Sequence, residues 1–210
     1  MNHCNHQIPT LSMILDALSL STDSVIAIYL YGSHLWGECH DRSDVDLIIV
    51  MKNNRHNQKL TNIHRNNIDA TILSEDDYLA NVDQMSMQFL ITCWLPDYCV
   101  ILRPPYKKIS INKKKFADEL EKTIERDLRI AKKHHQKQNL DQSQKVIIHL
   151  IRYLLLARQI RQSNRIIDYS CGEEFMDLKM QIIDCYLDLN QNTDHRFSSI
   201  ESMVDRIDGR

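Results

Sequence analysis

Residues 47–50 read Leu-Ile-Ile-Val, an unbroken apolar and largely β-branched run that suits a strand buried on both faces. Just ahead of it stand Asp44 and Asp46. Residues two apart on a strand point to one face, so the two carboxylates project together while Val45 turns the other way, toward the core. Like charges held that close repel each other and cost stability when nothing offsets them. A divalent cation resolves the conflict, and Mg2+ favours carboxylate oxygens combined with substrate phosphates. Such a segment requires a sheet around it and a positive charge at its mouth.

The neighbouring sequence supplies both. Val25 to Tyr31 reads as a buried strand that ends at Gly32-Ser33. A glycine lets the backbone approach a phosphate closely, and the Ser33 hydroxyl and nearby amides can donate to its oxygens. A short helix starting at Ser33 would add a favourable dipole for the same anion. Ser43, at the entrance of the second strand, joins Gly32 and Ser33 as a nucleotide-binding candidate. Downstream, Ile68 to Leu73 reads as a third strand carrying Asp69. Asp76 and Asp77 lie close by, but they follow Ser74 and suit the first turn of a helix. Three carboxylates on adjacent strands beside a phosphate cradle make a two-metal phosphoryl-transfer site, with Asp69 placed to take a proton from the acceptor.

Gly32-Ser33, a spacer of ten residues, then Asp44-x-Asp46 and an apolar strand together resemble the DNA polymerase β-type nucleotidyltransferase superfamily. That group includes poly(A)-adding enzymes, antibiotic nucleotidyltransferases, protein-AMPylating enzymes and small antitoxins. The resemblance covers residues 25–73. It implies that Gly32 and Ser33 contact a triphosphate, that Asp44 and Asp46 ligate the metals, and that Asp69 is the third, catalytic carboxylate. It implies two Mg2+ ions, with Mn2+ as the alternative, and an NTP donor, ATP being the commonest among relatives. The acceptor is a hydroxyl on RNA, protein or a small molecule. The antitoxin relatives imply another reading, a non-catalytic nucleotide- or partner-binding module. His34 departs from the pattern, because many members carry Arg there and imidazole is the poorer permanent cation at pH 7.

Beyond Ser74 the period changes to helical, and the expected fold class is α+β. A small mixed sheet over residues 1–105 forms the nucleotidyltransferase domain, and an α-helical bundle over 106–210 follows, with the boundary near Tyr106. Thr10 caps a first short helix, Lys52 to Asn67 is expected as an exposed loop or short helix, and Glu75 to Leu95 as one helix closed by Pro96. Val100 to Pro105 reads as a short strand ended by Pro104-Pro105. Long helices follow from Ser110 onward, with a brief extended piece at Ile166-Ile167-Asp168-Tyr169 and a weak last helix over Ser198 to Ile207. Lys145, His149 and Arg152 fall on one helical face, which makes them either nucleotide-binding candidates or a solvated polar stripe. The same stretch, with Arg165 to Ser170, is similar to a helical segment in some larger members of the superfamily. Trp36 is expected either to stack on a base or to pack in its turn.

Composition narrows the partners. The formal net charge of -2 excludes a generic polyanion binder; Lys113-Lys114-Lys115 and Lys132-Lys133-His134-His135 read as solvated helix faces or as a local basic patch for RNA, and without interleaved aromatics they give no stacking platform for single strands. The six cysteines form no C-x-x-C pair, and His134, His135 and His149 lack zinc-ligand spacing, so no zinc is expected. A polar N-terminus and the absence of a spanning apolar run point to a reduced, cytoplasmic setting with no membrane partner. His3, Cys4 and His6 read as part of a mobile tail.

Overall fold

The structure, a computed structural model, describes residues 8–39, 43–52, 61–103, 109–187 and 193–209. His3, Cys4, His6, the Pro104-Pro105 breaker and Tyr106 lie outside the described residues. The chain divides into two compact units, Met1–Ser110 and Ile111–Arg210. The fold class is α+β, a five-stranded mixed sheet with a helical C-terminal region.

In the first unit α1 (Leu11–Leu18) leads to β1 (Val25–Leu30), the short α2 (Gly32–Trp36) and β2 (Val45–Met51). Thr10 caps α1 by accepting from the Met13 amide at 3.4 Å. The hairpin of β3 (Thr61–Arg65) and β4 (Ile68–Ser74) follows, then α3 (Glu75–Asp83), α4 (Met87–Leu90) and β5 (Val100–Leu102). The strand order is β3-β4-β2-β1-β5. Strand β2 runs parallel to β4 and antiparallel to β1, and it is the central strand: Leu47 to Met51 are all buried, as a two-faced apolar run requires.

Two expectations are corrected here. Residues 61–65 form a strand rather than a loop or helix. Asn66 and Asn67 both take positive φ, 52° and 60°, and close a two-residue hairpin of the kind asparagine tolerates. The strand looks loop-like in sequence because it lies at the sheet edge and is mostly exposed. Consequently Ile68 to Leu73 belongs to the fourth strand, not the third.

Residues 75–95 are not one helix. Helix α3 stops at Asp83, Met85 turns to φ 63°, and α4 and a 3₁₀ segment (Ile91–Trp94) follow. The amides of Met85 and Ser86 close back on the carbonyls of Val82 and Asn81 at 3.0 Å each. Met85 itself is buried, which offsets the strain of a left-handed non-glycine residue.

Beneath this break the Tyr78 ring stacks on Tyr29 at 6.1 Å, and the Tyr78 hydroxyl meets Thr92 Oγ1 at 2.6 Å. The Thr92 hydroxyl spends its one proton on the Phe89 carbonyl at 2.6 Å, so Tyr78 is the donor to Thr92. Burial holds both tyrosines above their usual range, Tyr29 at about 12. Tyr78→Phe is expected to lower the unfolding free energy by about 1–2 kcal/mol, read from the urea midpoint.

The second unit comprises α5 (Lys113–Gln136), α6 (Leu140–Ser163), α7 (Gly172–Leu187) and α8 (Thr193–Asp208). The central α6 buries side chains from Ser143 to Ile160 and packs against α5, α7 and α8. Asn112 and Asn139 cap the first two helices, and Asn164 ends α6 at φ 55°. A buried seryl hydroxyl ties three elements: Ser143 Oγ donates to the Ala131 carbonyl at 2.7 Å and meets the Tyr186 hydroxyl at 2.7 Å. The Gln159 side chain clamps the next connection, donating to the Asp168 carbonyl at 2.7 Å and accepting from the Ile167 and Asp168 amides at 2.9 Å each.

Among the described residues no helix is long and apolar enough to cross a membrane. Cys93, Cys99, Cys171 and Cys185 are free thiols. Cys39 is disulfide-bonded, in contrast to the all-thiol chain that a reducing compartment implies.

Candidate active site

Parallel pairing of β2 with β4 sets Asp46 directly against Asp69. The two carboxylates therefore share a sheet face on adjacent strands, about 4.8 Å apart along the hydrogen-bonding direction. Asp44 lies just before β2, exposed, as is Asp69, while Asp46 is half-buried. The row continues outward: His64 on β3 is the cross-strand partner of Asp69, and Asn62, two residues back, receives the Thr71 hydroxyl at 3.1 Å.

Gly32 and Ser33 reach Asp46 from the other side. The Tyr31 amide donates to the Asp46 carbonyl at 2.8 Å, which aligns the end of β1 with the start of β2. Gly32 follows at φ 60°, and a Cβ built on it would lie 1.7 Å from Asp46 Oδ2. The Ser33 amide faces the Asp46 carboxylate and favours its charged form. Burial first, then the charges of Asp69 and Asp44, push the Asp46 carboxyl up to about 6, against the pull of that amide.

This is the electrostatic conflict expected of the Asp-x-Asp segment, now joined by a third acid from β4. Oxygen-only donors on neighbouring strands suit a hard divalent cation such as Mg2+ or Mn2+ and not zinc. The three do not close on a single point: among the described residues no three His, Cys, Asp or Glu side chains are grouped tightly enough to hold a metal ion. What the backbone fixes is the Asp46–Asp69 pair, with Asp44 within Coulombic reach of Asp46.

The remaining sequence candidates take varied places. Ser43 is half-buried at the approach to β2. Trp36 is buried edge-on against Tyr31 at 5.7 Å between ring centres, which is the packing role. His34, standing where many superfamily members have Arg, is buried as well. Lys145, His149 and Arg152 belong to the second unit. Lys145 is exposed, but they do not form a solvated stripe. His149 is half-buried with its ring 4.8 Å from that of Tyr153, and burial lowers its proton affinity. Arg152 is 4% exposed, its guanidinium 4.1 Å above the Phe175 ring. His64 escaped notice in the sequence because it falls in the stretch expected to be a loop; the Asn66-Asn67 turn was the available signal.

Residues 15–90 match the family described as Polymerase beta, Nucleotidyltransferase. This part of the chain is similar to nucleotidyltransferase domains of the polymerase β type, and such a domain supports a role in nucleotidyl transfer. Among solved structures, a nucleotidyltransferase-like protein from Exiguobacterium sibiricum 255-15 is similar at 8% identity, over 90% of this chain and 70% of that one, with a TM-score of 0.28. A likeness that loose carries no argument. No curated protein matches.

Proposed function

We propose that this chain is a divalent-cation-dependent nucleotidyltransferase that moves NMP from an NTP, ATP being the first donor to test, to a hydroxyl on RNA, protein or a small molecule. The observation that carries the reading is the parallel register that sets Asp46 against Asp69 beside the Gly32–Ser33 turn, inside the matched domain. Bound at Asp44, Asp46 and Asp69, two Mg2+ ions would supply the charge neutralisation that a triphosphate and a departing pyrophosphate need. Ser33 and Ser43 orient the phosphates. The acceptor oxygen bonds to the α-phosphorus as the bond to the bridging oxygen breaks. Pyrophosphate leaves with that electron pair, and the hydroxyl proton passes to Asp69. Of the helical unit's three candidates, Lys145, His149 and Arg152, Arg152 is the most constrained, by its seat over Phe175.

Labelled NTPs with Mg2+ added to a lysate containing the protein are expected to label an acceptor. The Asp44→Ala/Asp46→Ala double variant is expected to lower that signal by at least about 100-fold. An undiminished signal would sink the assignment. A stoichiometric co-purifying partner without NTP consumption would favour the non-catalytic, antitoxin-type module instead.

A further inference from the structure

Behind the carboxylate row, on the opposite face of the sheet, lies a cavity of about 580 Å3. Its floor is Val45 and Ile68, cross-strand partners whose side chains point away from the face that carries Asp46 and Asp69. Met13, Asp16 and Ala17 of α1 form one wall, and the Asn66-Asn67 turn closes the end. The volume and the apolar floor suit a small organic ligand. Two bonds hold the walls in place. The Val45 amide donates to the Asn67 carbonyl at 2.8 Å, and Arg65 Nη1 donates to Ser19 Oγ, just beyond the end of α1, at 3.4 Å.

Among the described residues Asp16 is the only charged side chain that lines this cavity. It is exposed, and its carboxylate has no ion pair or hydrogen bond with any described residue. Arg65, the basic residue that reaches past the end of α1, is spent on Ser19. Asp16 also stands in the last turn of α1, which holds no basic residue, and there a negative charge faces the negative end of the helix and costs stability. The polar neighbours are the side-chain amides of Asn66 and Asn67, which likewise make no hydrogen bond with a described residue. One carboxylate beside neutral amides is too little charge for a divalent ion. It matches an ammonium, whose three N–H donors need oxygen acceptors and whose charge answers Asp16. Met13, 56% exposed at the mouth, offers a large apolar surface beside that charge. We propose that this cavity binds a small organic cation, a primary amine carried on an apolar ring system, with the amine at Asp16 and the rings over Val45 and Ile68. The site is separate from the carboxylate row and stands whether or not the chain transfers nucleotides.

The test uses tryptamine, titrated into the full chain and followed by the backbone and side-chain amide resonances. Tryptamine is expected to shift the signals of Ala17, Val45, Asn66 and Asn67. Tryptophol, which has a hydroxyl in place of the amine, is expected to bind about fivefold more weakly, the margin that a solvent-exposed charge supports. Asp16→Asn is expected to erase that margin by weakening tryptamine alone. Because Asp16 is exposed, this variant should fold as the wild type does, which its melting temperature checks. Ala17→Leu fills the cavity from its wall and is expected to abolish binding of both compounds. n-Butylamine, an ammonium on a thin chain like a lysine side chain, is expected to bind at least about tenfold more weakly than tryptamine, for want of apolar area. Butylamine binding as tightly would make the groove a seat for a partner protein's lysine and overturn the small-ligand assignment. Equal affinities for tryptamine and tryptophol would overturn it as well, as would an Asp16→Asn variant that keeps the preference. Binding that survives in Ala17→Leu, or no shift at millimolar tryptamine, would remove the site altogether.

Discussion

Gly32→Ala is expected to abolish nucleotidyl transfer and to lower the stability of the first unit by about 2–4 kcal/mol. Two costs combine. An alanine held at φ 60° loses about 1–2 kcal/mol to the clash of its Cβ with its own backbone. Its methyl would also land 1.7 Å from Asp46 Oδ2, so the carboxylate must move, and overpacking of that kind costs about 1–2 kcal/mol more. A displaced Asp46 no longer shares a row with Asp69, and the activity goes with it. Gly37→Ala is the control. Its φ of 72° is as strained, but nothing lies within 4 Å of its would-be Cβ. It is expected to pay only the backbone cost and to keep transfer. Urea unfolding and label incorporation on both variants separate strain from the collision with Asp46.

Asp46→Asn is expected to move stability and activity in opposite directions. Without divalent cation, Asp46 has a folded-state carboxyl near 6 against 3.8 for the free side chain, mainly through burial. Between those values the folded protein binds the extra proton, so this group favours folding at low pH. That contribution fades as pH rises from about 4 to about 6 and leaves a constant penalty above. Asp46 is only half-buried, so the penalty at neutral pH is about 1 kcal/mol after solvent screening is allowed for. The asparagine variant should therefore melt about 2–4 °C higher than wild type at pH 7 in EDTA, with the gain vanishing toward pH 4. Its transfer activity should fall by at least about 100-fold, because an amide is a poor substitute for a charged metal ligand. A variant that is both less stable at pH 7 and inactive would contradict the origin assigned to the raised carboxyl.

Much of this site could be read before any coordinates. The acids at 44 and 46 announce themselves because their spacing and the apolar run after them are local, and period-2 geometry needs no partner. The pairing of Asp46 with Asp69 is different, since it depends on which strands adjoin and in which register, and no local period encodes that. Strand β3 was invisible because an edge strand has little to bury and so shows the composition of a loop. The turn at Met85 was invisible because a buried methionine, not a glycine, occupies the left-handed position. Arg152 could be read in the sequence either on a polar stripe or at a nucleotide, because only the fold brings the Phe175 ring beneath its guanidinium.

The hairpin between β3 and β4 has a consequence for how such a domain can vary. The carboxylate row depends on β4 meeting β2 in register, and β4 is tethered to β3 through only Asn66 and Asn67. One residue added inside β4 ahead of Asp69 would turn its carboxylate to the opposite face, because side chains alternate along a strand. A single-residue insertion or deletion there is thus forbidden whatever residue it involves. The row of acids is therefore set by a count of residues as much as by their kind.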